Sequence, residues 1–227
     1  MKNLKKNNDI SKKYYFFAKN ELQTIYRSLT GRGNYQTLKL IKKKFTGLKI
    51  KYFNSGDKVF DWTVPQEWNV NDAYILDKYN KKIIDFKKNF LHLVGYSKKI
   101  DKVVSKNELL KLLIIHKKIS NAVPYITAYY KKNFFGFCCS SIQKKNIKKK
   151  YDKDDNFKLH IDSNFKKKGK MHYGELVIKG KSKEEILIST YICHPQMANN
   201  ELSGPIVSMS LIEYFLKQSK KKFFQKR

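Results

Sequence analysis

One short stretch, STYICHPQMANNELSGP at residues 189–205, places together side chains that could bind a metal ion. His194 follows a run of β-branched and aromatic residues, and Glu201 lies in the polar loop that comes next. A neutral imidazole and a carboxylate are both suitable zinc ligands. The stretch is therefore consistent with a zinc site that includes His194 and Glu201. The alternative is that His194 is packed or hydrogen-bonded and binds no metal.

The remaining histidines and the cysteines add no ligand set. No HxxxH or HxH spacing occurs among His92, His116, His160 and His172, which we expect to be structural or exposed. Three cysteines are present, Cys138, Cys139 and Cys193, and none forms a CxxC pair. This pattern is not a disulfide framework, so we expect buried, reduced thiols.

The elements around His194 have the form of a crossover unit. EEILISTYICHP is apolar on both faces and predicts a central, buried strand. SGPIVSMSLIEYFLKQSKKKFF then shows a broad apolar face at helical spacing. Ligands gather beyond the carboxyl ends of strands in open α/β sheets, which is where this prediction places His194.

The rest of the chain predicts two helices and a strand at the N-terminus, followed by a middle segment of short strands and turns. QKKNIKKKYDKDDN is interpreted as a solvated loop. We predict an α/β core, residues 1–57 and 156–227, interrupted by an inserted β-rich domain at 58–155.

The formal net charge of +30 would ordinarily suggest an anionic partner. Nearly all of this charge is lysine spread along the chain, and the arginines are only Arg27, Arg32 and Arg227. Readers of bases and phosphates favour the arginine fork, so we expect no nucleic-acid partner. A charge map showing one lysine stripe would reverse that expectation.

The N-terminus is basic but lacks an apolar core and a small-residue cleavage site. No apolar run approaches the roughly 20 residues needed to cross a bilayer. We therefore expect a cytoplasmic protein without a membrane partner. The sequence leaves the oligomeric state open, a homo-oligomer included.

Several motifs, taken together, carry a family resemblance that covers nearly the whole chain. They are RSLTGRGNYQTL, KVFDWTVPQEWNVNDAYI, IIDFKKNFLHLVGYS, YITAYYKKNFFGFC, HIDSNFKKKGKMHYGEL and ILISTYICHPQMANNELSGP. The last resembles the metal-site loop of co-catalytic zinc aminopeptidases. The full set resembles a bacterial branch of polysaccharide-biosynthesis proteins with an aminopeptidase-like domain. The resemblance implies a partial aminopeptidase-like (phosphorylase/hydrolase-like) core with an inserted domain, a zinc cofactor and a peptide or peptide-like substrate.

Residue by residue, the resemblance implies a ligand role for His194. The family's bridging acid aligns with Asn200, while Glu201 would be the acidic ligand if the loop is shifted by one residue. The acidic neighbour that orients the histidine in the family is replaced by Gln196. The further ligands and the general base would lie past Arg227. The resemblance is thus to the N-terminal half, and no catalytic residue is assigned.

These observations lead to two main hypotheses. The first is an aminopeptidase-like zinc metallohydrolase, truncated and inactive as this chain. The second is a non-catalytic protein that binds a saccharide or another anionic polymer in polysaccharide biosynthesis. Metal content discriminates between them, with His194, Asn200 and Glu201 as the candidate ligands.

Overall fold

The computed structural model describes residues 2–131, 133–180 and 182–219, and these form a mixture of helices and strands. The helices are α1 (Lys2–Phe17), α2 (Arg32–Lys44), α3 (Lys106–Leu112), α4 (Ser141–Lys150) and α5 (Ser203–Ser219). Two π-helical turns, Ala18–Leu22 and Ala198–Leu202, adjoin α1 and α5, and a 3₁₀ helix covers Phe90–His92. Among the described residues, no helix has the length and apolar character needed to cross a membrane.

Within these described residues, the strands fall into four small sheets. In chain order they are β1 (Lys49–Asn54), β2 (Lys58–Val59), β3 (Trp62–Thr63), β4 (Glu67–Leu76), β5 (Lys82–Asp85), β6 (Ile100–Ser105), β7 (Leu113–Ile114), β8 (Phe137–Cys138), β9 (Asn156–Lys166) and β10 (Lys170–Glu175). Strand β1 pairs with β10, β2 with β3, and β7 with β8, while β5, β4, β9 and β6 form a four-stranded sheet in that order.

The chain divides into two compact units. One consists of Met1–Phe53 with Lys170–Arg227, and the other of Asn54–Gly169. Compactness alone does not show that the second unit is an inserted domain. The domain bounds 1–57, 58–155 and 156–227 therefore stay a prediction.

The first unit is organised by the packing of α1, α2 and α5. Its buried apolar core is contributed by Tyr14, Phe17, Ala18, Leu22, Ile25, Ile41, Phe45, Leu48, Leu202 and Met209. At its edge, the Tyr14 hydroxyl donates to Glu213 Oε2 over 2.5 Å, and Lys13 Nζ lies 2.8 Å from the same oxygen. The apolar stripes predicted near the N-terminus and in α5 thus face each other.

The second unit is organised by its antiparallel four-stranded sheet. Strand β4 pairs along its length with β9, and β9 pairs on its other edge with β6. Trp68, Ile75, Ile84, Leu159 and Ile161 are almost fully buried, as alternation of apolar and polar residues predicts for a sheet with one covered face. The short strands predicted for the middle of the chain are confirmed by β4 and β5.

The strand predicted at EEILISTYICHP is wrong. Residues 182–195 form no strand, and Ile186 and Leu187 are 94% and 89% exposed. A central strand needs hydrogen-bonded neighbours along both edges, and a local apolar pattern cannot guarantee them. The apolar pattern predicts burial, but the described residues do not cover Ile186 and Leu187.

The solvated loop predicted at QKKNIKKKYDKDDN is also wrong, because residues up to Lys150 belong to helix α4. Ser140 accepts from the backbone N–H of Gln143, and the Gln143 side chain accepts from the backbone N–H of Ser140. This reciprocal capping box is a helix-start signal that outweighs the lysine-rich composition. YITAYY lies in the middle segment predicted to form short strands, but it is irregular backbone with one isolated bridge at Thr127.

Candidate metal centre

His194 lies in irregular backbone just before the π-helical turn Ala198–Leu202, which continues into α5. Gln196, two residues on, has a positive φ of 50°, and this left-handed residue turns the chain back. The Glu201 backbone N–H then donates to Met197 O over 2.6 Å, which starts the helical turn. The turn at Gln196 and the helical turn that follows therefore bring Glu201 close to His194.

A glycine permits the close approach of the preceding segment to the start of α5. A Cβ placed on Gly204 would lie 2.0 Å from Thr190 Oγ1. Any larger side chain at this position would displace Thr190, four residues before His194. The SG pair of the sequence motif thus has a packing role at the helix start.

Glu201 binds His194 with both carboxylate oxygens. Oε1 accepts from the His194 backbone N–H over 2.5 Å, and Oε2 lies 2.6 Å from His194 Nδ1. Because an ionised carboxylate can only accept, we assign the ring proton to Nδ1. In that neutral tautomer the nitrogen lone pair is on Nε2, the atom that a metal would use. Glu201 is fully buried, so this contact is shielded from water.

Cys193 completes a cluster that the sequence did not indicate. Its Sγ lies 3.9 Å from His194 Nε2, and one ligand atom from each of Cys193, His194 and Glu201 lies within 4.8 Å of the others. Burial, and next the charge of Glu201, raise the pKa of the Cys193 thiol to about 11. Without a metal the sulfur is therefore protonated at neutral pH.

The third candidate ligand, Asn200, is exposed. Its Oδ1 accepts a hydrogen bond of 3.4 Å from the Tyr191 hydroxyl. The structure thus brings His194 and Glu201 together and directs the Asn200 side chain towards Tyr191. The Asn200 ligand assignment stays a prediction.

Arg27 is fully buried and lies next to this cluster. Its Nε donates to His194 O over 3.2 Å, and its Nη1 donates to Leu22 O. Within the described part of the chain, its Nη2 has no hydrogen-bond partner. Burial lowers the pKa of Arg27 to about 10, although the neighbouring acidic groups, Glu201 first and then the Cys193 thiol, act in the opposite direction. Arg27 is therefore a buried cation placed against the only carboxylate of the cluster.

Two glycines, Gly31 and Gly33, determine the conformation of the loop that follows Arg27. Gly31 has a φ of 100°, which is readily adopted only by glycine, and precedes the first residue of α2. A Cβ on Gly33 would lie 1.6 Å from Tyr26 O, so α2 approaches the backbone next to Arg27 closely. The TGRGN segment thus positions Arg27 through backbone contact.

Comparison with known proteins gives the family. A family model described as a domain of unknown function, DUF4910, matches residues 16–226. The chain belongs to the DUF4910 family.

Two relatives of this DUF4910 chain come from Clostridium acetobutylicum. A protein provisionally named as a polysaccharide biosynthesis protein with an aminopeptidase-like domain is 40% identical over 205 residues, covering 89% of this chain and 45% of the relative. A crystal structure provisionally named as a peptidase matches with a TM-score of 0.83 and 38% identity, covering 94% of this chain and 49% of that one. This chain therefore spans about half the length of each relative. The resemblance stated from the sequence motifs is confirmed.

The donor chemistry of the DUF4910 site fits zinc. Imidazole nitrogen, carboxylate oxygen and thiolate sulfur are the three ligand types that zinc takes in proteins. A second carboxylate–imidazole contact, between Asp101 and His160, lies in the other unit, but no third donor joins it among the described residues. The fit is thus specific to the Cys193–His194–Glu201 cluster.

Proposed function

We propose that this chain belongs to an aminopeptidase-like zinc metallohydrolase that serves polysaccharide biosynthesis, with zinc bound at His194. Membership of DUF4910 and the provisional names of both relatives support the proposal. The observation that carries it is the contact of both Glu201 oxygens with His194, which leaves Nε2 as the metal-binding atom. The substrate class would be a peptide or a peptide-like amide.

The chain's own residues have distinct roles in this proposal. A bound zinc ion would supply Lewis-acid polarisation of an amide carbonyl. Glu201 fixes the ring orientation and the tautomer of His194, as carboxylates behind zinc-bound histidines do. Arg27 holds the backbone carbonyl of His194 and balances the buried charge of Glu201.

The same proposal assigns residues 58–155 to an inserted β-rich domain and residues 1–57 and 156–227 to a peptidase-like core. A catalytic zinc site needs three protein ligands and an open position. Among the described residues, one cluster of three metal-binding side chains is found, and one of its members, Glu201, already engages His194. We therefore expect this chain by itself to lack peptidase activity.

Elemental analysis and a peptidase assay test the proposal together. We expect the purified chain to bind one zinc ion and to leave aminoacyl p-nitroanilides intact. Two zinc ions per chain with hydrolysis of these substrates would contradict the assignment of an incomplete site. Absence of any zinc affinity would contradict the metallohydrolase proposal itself.

A second candidate function, binding of an acidic saccharide, is supported by an aromatic and basic surface on β1, β10 and α2. Tyr52 is half exposed, and Lys170 Nζ lies 3.9 Å from its ring centroid. The rings of Tyr35 and His172 lie 4.5 Å apart beside it, and Lys39 Nζ lies 5.4 Å from the Tyr35 ring. Aromatic faces stack on apolar faces of ligands, and lysines attract anionic groups.

Calorimetry with an acidic oligosaccharide and with its neutral counterpart tests this second function. Tyr52→Ala should weaken binding of the acidic form about tenfold, since stacking contributes on the order of 1 kcal/mol. Tyr79→Ala is the control, because Tyr79 is also exposed beside a lysine, Lys78, but lies in the other unit. Equal effects of the two substitutions would indicate unspecific charge attraction.

A further inference from the structure

The distance between Cys193 Sγ and His194 Nε2 is close to that between two ligands of one metal ion. Zinc–sulfur bonds of about 2.3 Å and zinc–nitrogen bonds of about 2.05 Å, at a tetrahedral angle, place the two ligand atoms about 3.6 Å apart. The observed separation is 3.9 Å. The observed separation is therefore close to the spacing that two ligands of one zinc ion require.

The irregular backbone at this position is what makes the pairing feasible. In a strand, neighbouring side chains point to opposite faces, so Cys193 and His194 would face apart. Residues 182–195 form no strand, and the two side chains lie on the same side of the chain. The failure of the strand prediction therefore has a chemical consequence.

We propose that Cys193 Sγ and His194 Nε2 are the two direct ligands of a thiophilic divalent cation, with Glu201 acting as the carboxylate that orients His194. The inference rests on the proposed zinc site at His194 and deepens it by assigning Cys193 as a second direct ligand. Each oxygen of Glu201 already accepts one hydrogen bond from His194, Oε1 from the backbone N–H and Oε2 from Nδ1, which suits Glu201 to orienting the ring. Thiolate and imidazole together select zinc, cobalt or cadmium over magnesium and calcium.

Arg27 supplies a second observation at this site, independent of the distance between Sγ and Nε2. Its guanidinium is fully buried, and its Nη2 has no hydrogen-bond partner within the described residues. The buried cation lies close enough to Glu201 and Cys193 to interact with both electrostatically, so the cluster contains a donor that the described residues leave unused. Cys138 and Cys139, by contrast, are buried in the other unit, and no metal-binding cluster of the described residues includes them.

Cobalt titration followed by absorption spectroscopy tests the inference. Cobalt(II) bound to a thiolate gives a charge-transfer band in the near ultraviolet, which oxygen and nitrogen ligands do not give. We expect this band in the wild-type chain at one cobalt per chain. Cys193→Ser should abolish the band and weaken cobalt affinity on the order of 100-fold, whereas Cys139→Ser should retain both. Circular dichroism of each variant verifies that it is folded.

The outcomes separate this inference from the proposed function. Cobalt that binds the wild-type chain without the band, and is lost in His194→Ala, would overturn the role of Cys193 and leave the His194 site intact. A band that persists in Cys193→Ser would assign the thiolate to another cysteine and also overturn the inference. Failure of the wild-type chain to bind cobalt or zinc would overturn both.

Discussion

The Glu201 carboxylate contacts His194 twice, through the backbone N–H at 2.5 Å and through Nδ1 at 2.6 Å. The two residues are joined by a short loop with a left-handed residue, Gln196, so the contact closes this loop on itself. A single buried carboxylate thereby determines both the loop conformation and the tautomer of the imidazole.

Glu201→Gln should weaken zinc binding about 10- to 100-fold, the usual effect of losing the partner behind a zinc-bound histidine. The amide N–H can donate to Nδ1, which moves the ring proton to Nε2 and blocks the metal-binding lone pair. Competition with a chromogenic chelator measures the affinity.

Asn200→Ala is the matched control, because Asn200 adjoins Glu201 but is exposed and faces Tyr191. We expect its zinc affinity to equal that of the wild-type chain. A loss as large as that of Glu201→Gln would establish Asn200 as a ligand and contradict the site geometry.

Arg27→Met should destabilise the first unit by about 3 kcal/mol, because it leaves the buried Glu201 charge without its counter-ion. It also removes the hydrogen bonds to His194 O and Leu22 O. Urea unfolding measures the change in the free energy of unfolding. Arg27→Lys keeps the positive charge but loses the planar guanidinium, so its free energy of unfolding should lie between those of the wild-type chain and Arg27→Met. An unchanged free energy of unfolding in Arg27→Met would show that the charges of Arg27 and Glu201 are not coupled.

Gly33→Ala should cost about 3 kcal/mol of stability through overpacking, since its Cβ would lie 1.6 Å from Tyr26 O. Gly47→Ala is the control, because a Cβ there meets nothing within 4 Å. That control should be neutral or stabilise by up to about 1 kcal/mol. Thermal unfolding of the two variants in parallel measures the difference. Equal melting temperatures would show that Gly33 does not lie close to Tyr26 O.

Glu213 predicts acid sensitivity of the first unit. Burial opposes its ionisation, but hydrogen bonds from Lys13, Lys217 and Tyr14 outweigh burial and lower the pKa of Glu213 from 4.5 to about 2. A carboxyl with a depressed pKa stabilises the fold above its unfolded-state pKa, and that stabilisation is lost as the pH falls. The free energy of unfolding should therefore decrease between about pH 4.5 and pH 2.

The measurement for this prediction is urea unfolding across that range of pH. Glu213→Gln should be less stable at neutral pH and should show a flatter pH dependence. Glu184→Gln, which alters an exposed carboxylate, should follow the wild-type curve. Parallel curves for the wild-type chain and Glu213→Gln would show that Glu213 does not contribute.

The sequence indicates part of the cluster. It predicts His194, Asn200 and Glu201 as candidate ligands, and the structure brings His194 and Glu201 together while the Asn200 side chain faces Tyr191. Cys193 was missed because a predicted strand would have turned it away from His194. Arg27 was missed because its role depends on tertiary packing, which brings residues far apart in sequence together.

For the fold, local sequence patterns predict an element correctly where its hydrogen-bonding partners lie nearby in the sequence. The β4 and β5 hairpin and helices α2 and α5 follow from periodicity and turn residues in contiguous sequence. The apolar run at Ile186 and Leu187 depends on neighbours that no local pattern provides. Helix α4 could have been predicted from the Ser140–Gln143 capping box, a signal that composition obscured.

Calorimetric zinc titration of the wild-type chain, His194→Ala and His160→Ala tests the central claim most directly. His160 is a matched control, because its Nδ1 also contacts a carboxylate, that of Asp101, at 3.0 Å. We predict one zinc site in the wild-type chain and in His160→Ala, and its loss in His194→Ala. Unchanged zinc binding by His194→Ala would show that His194 is not a zinc ligand.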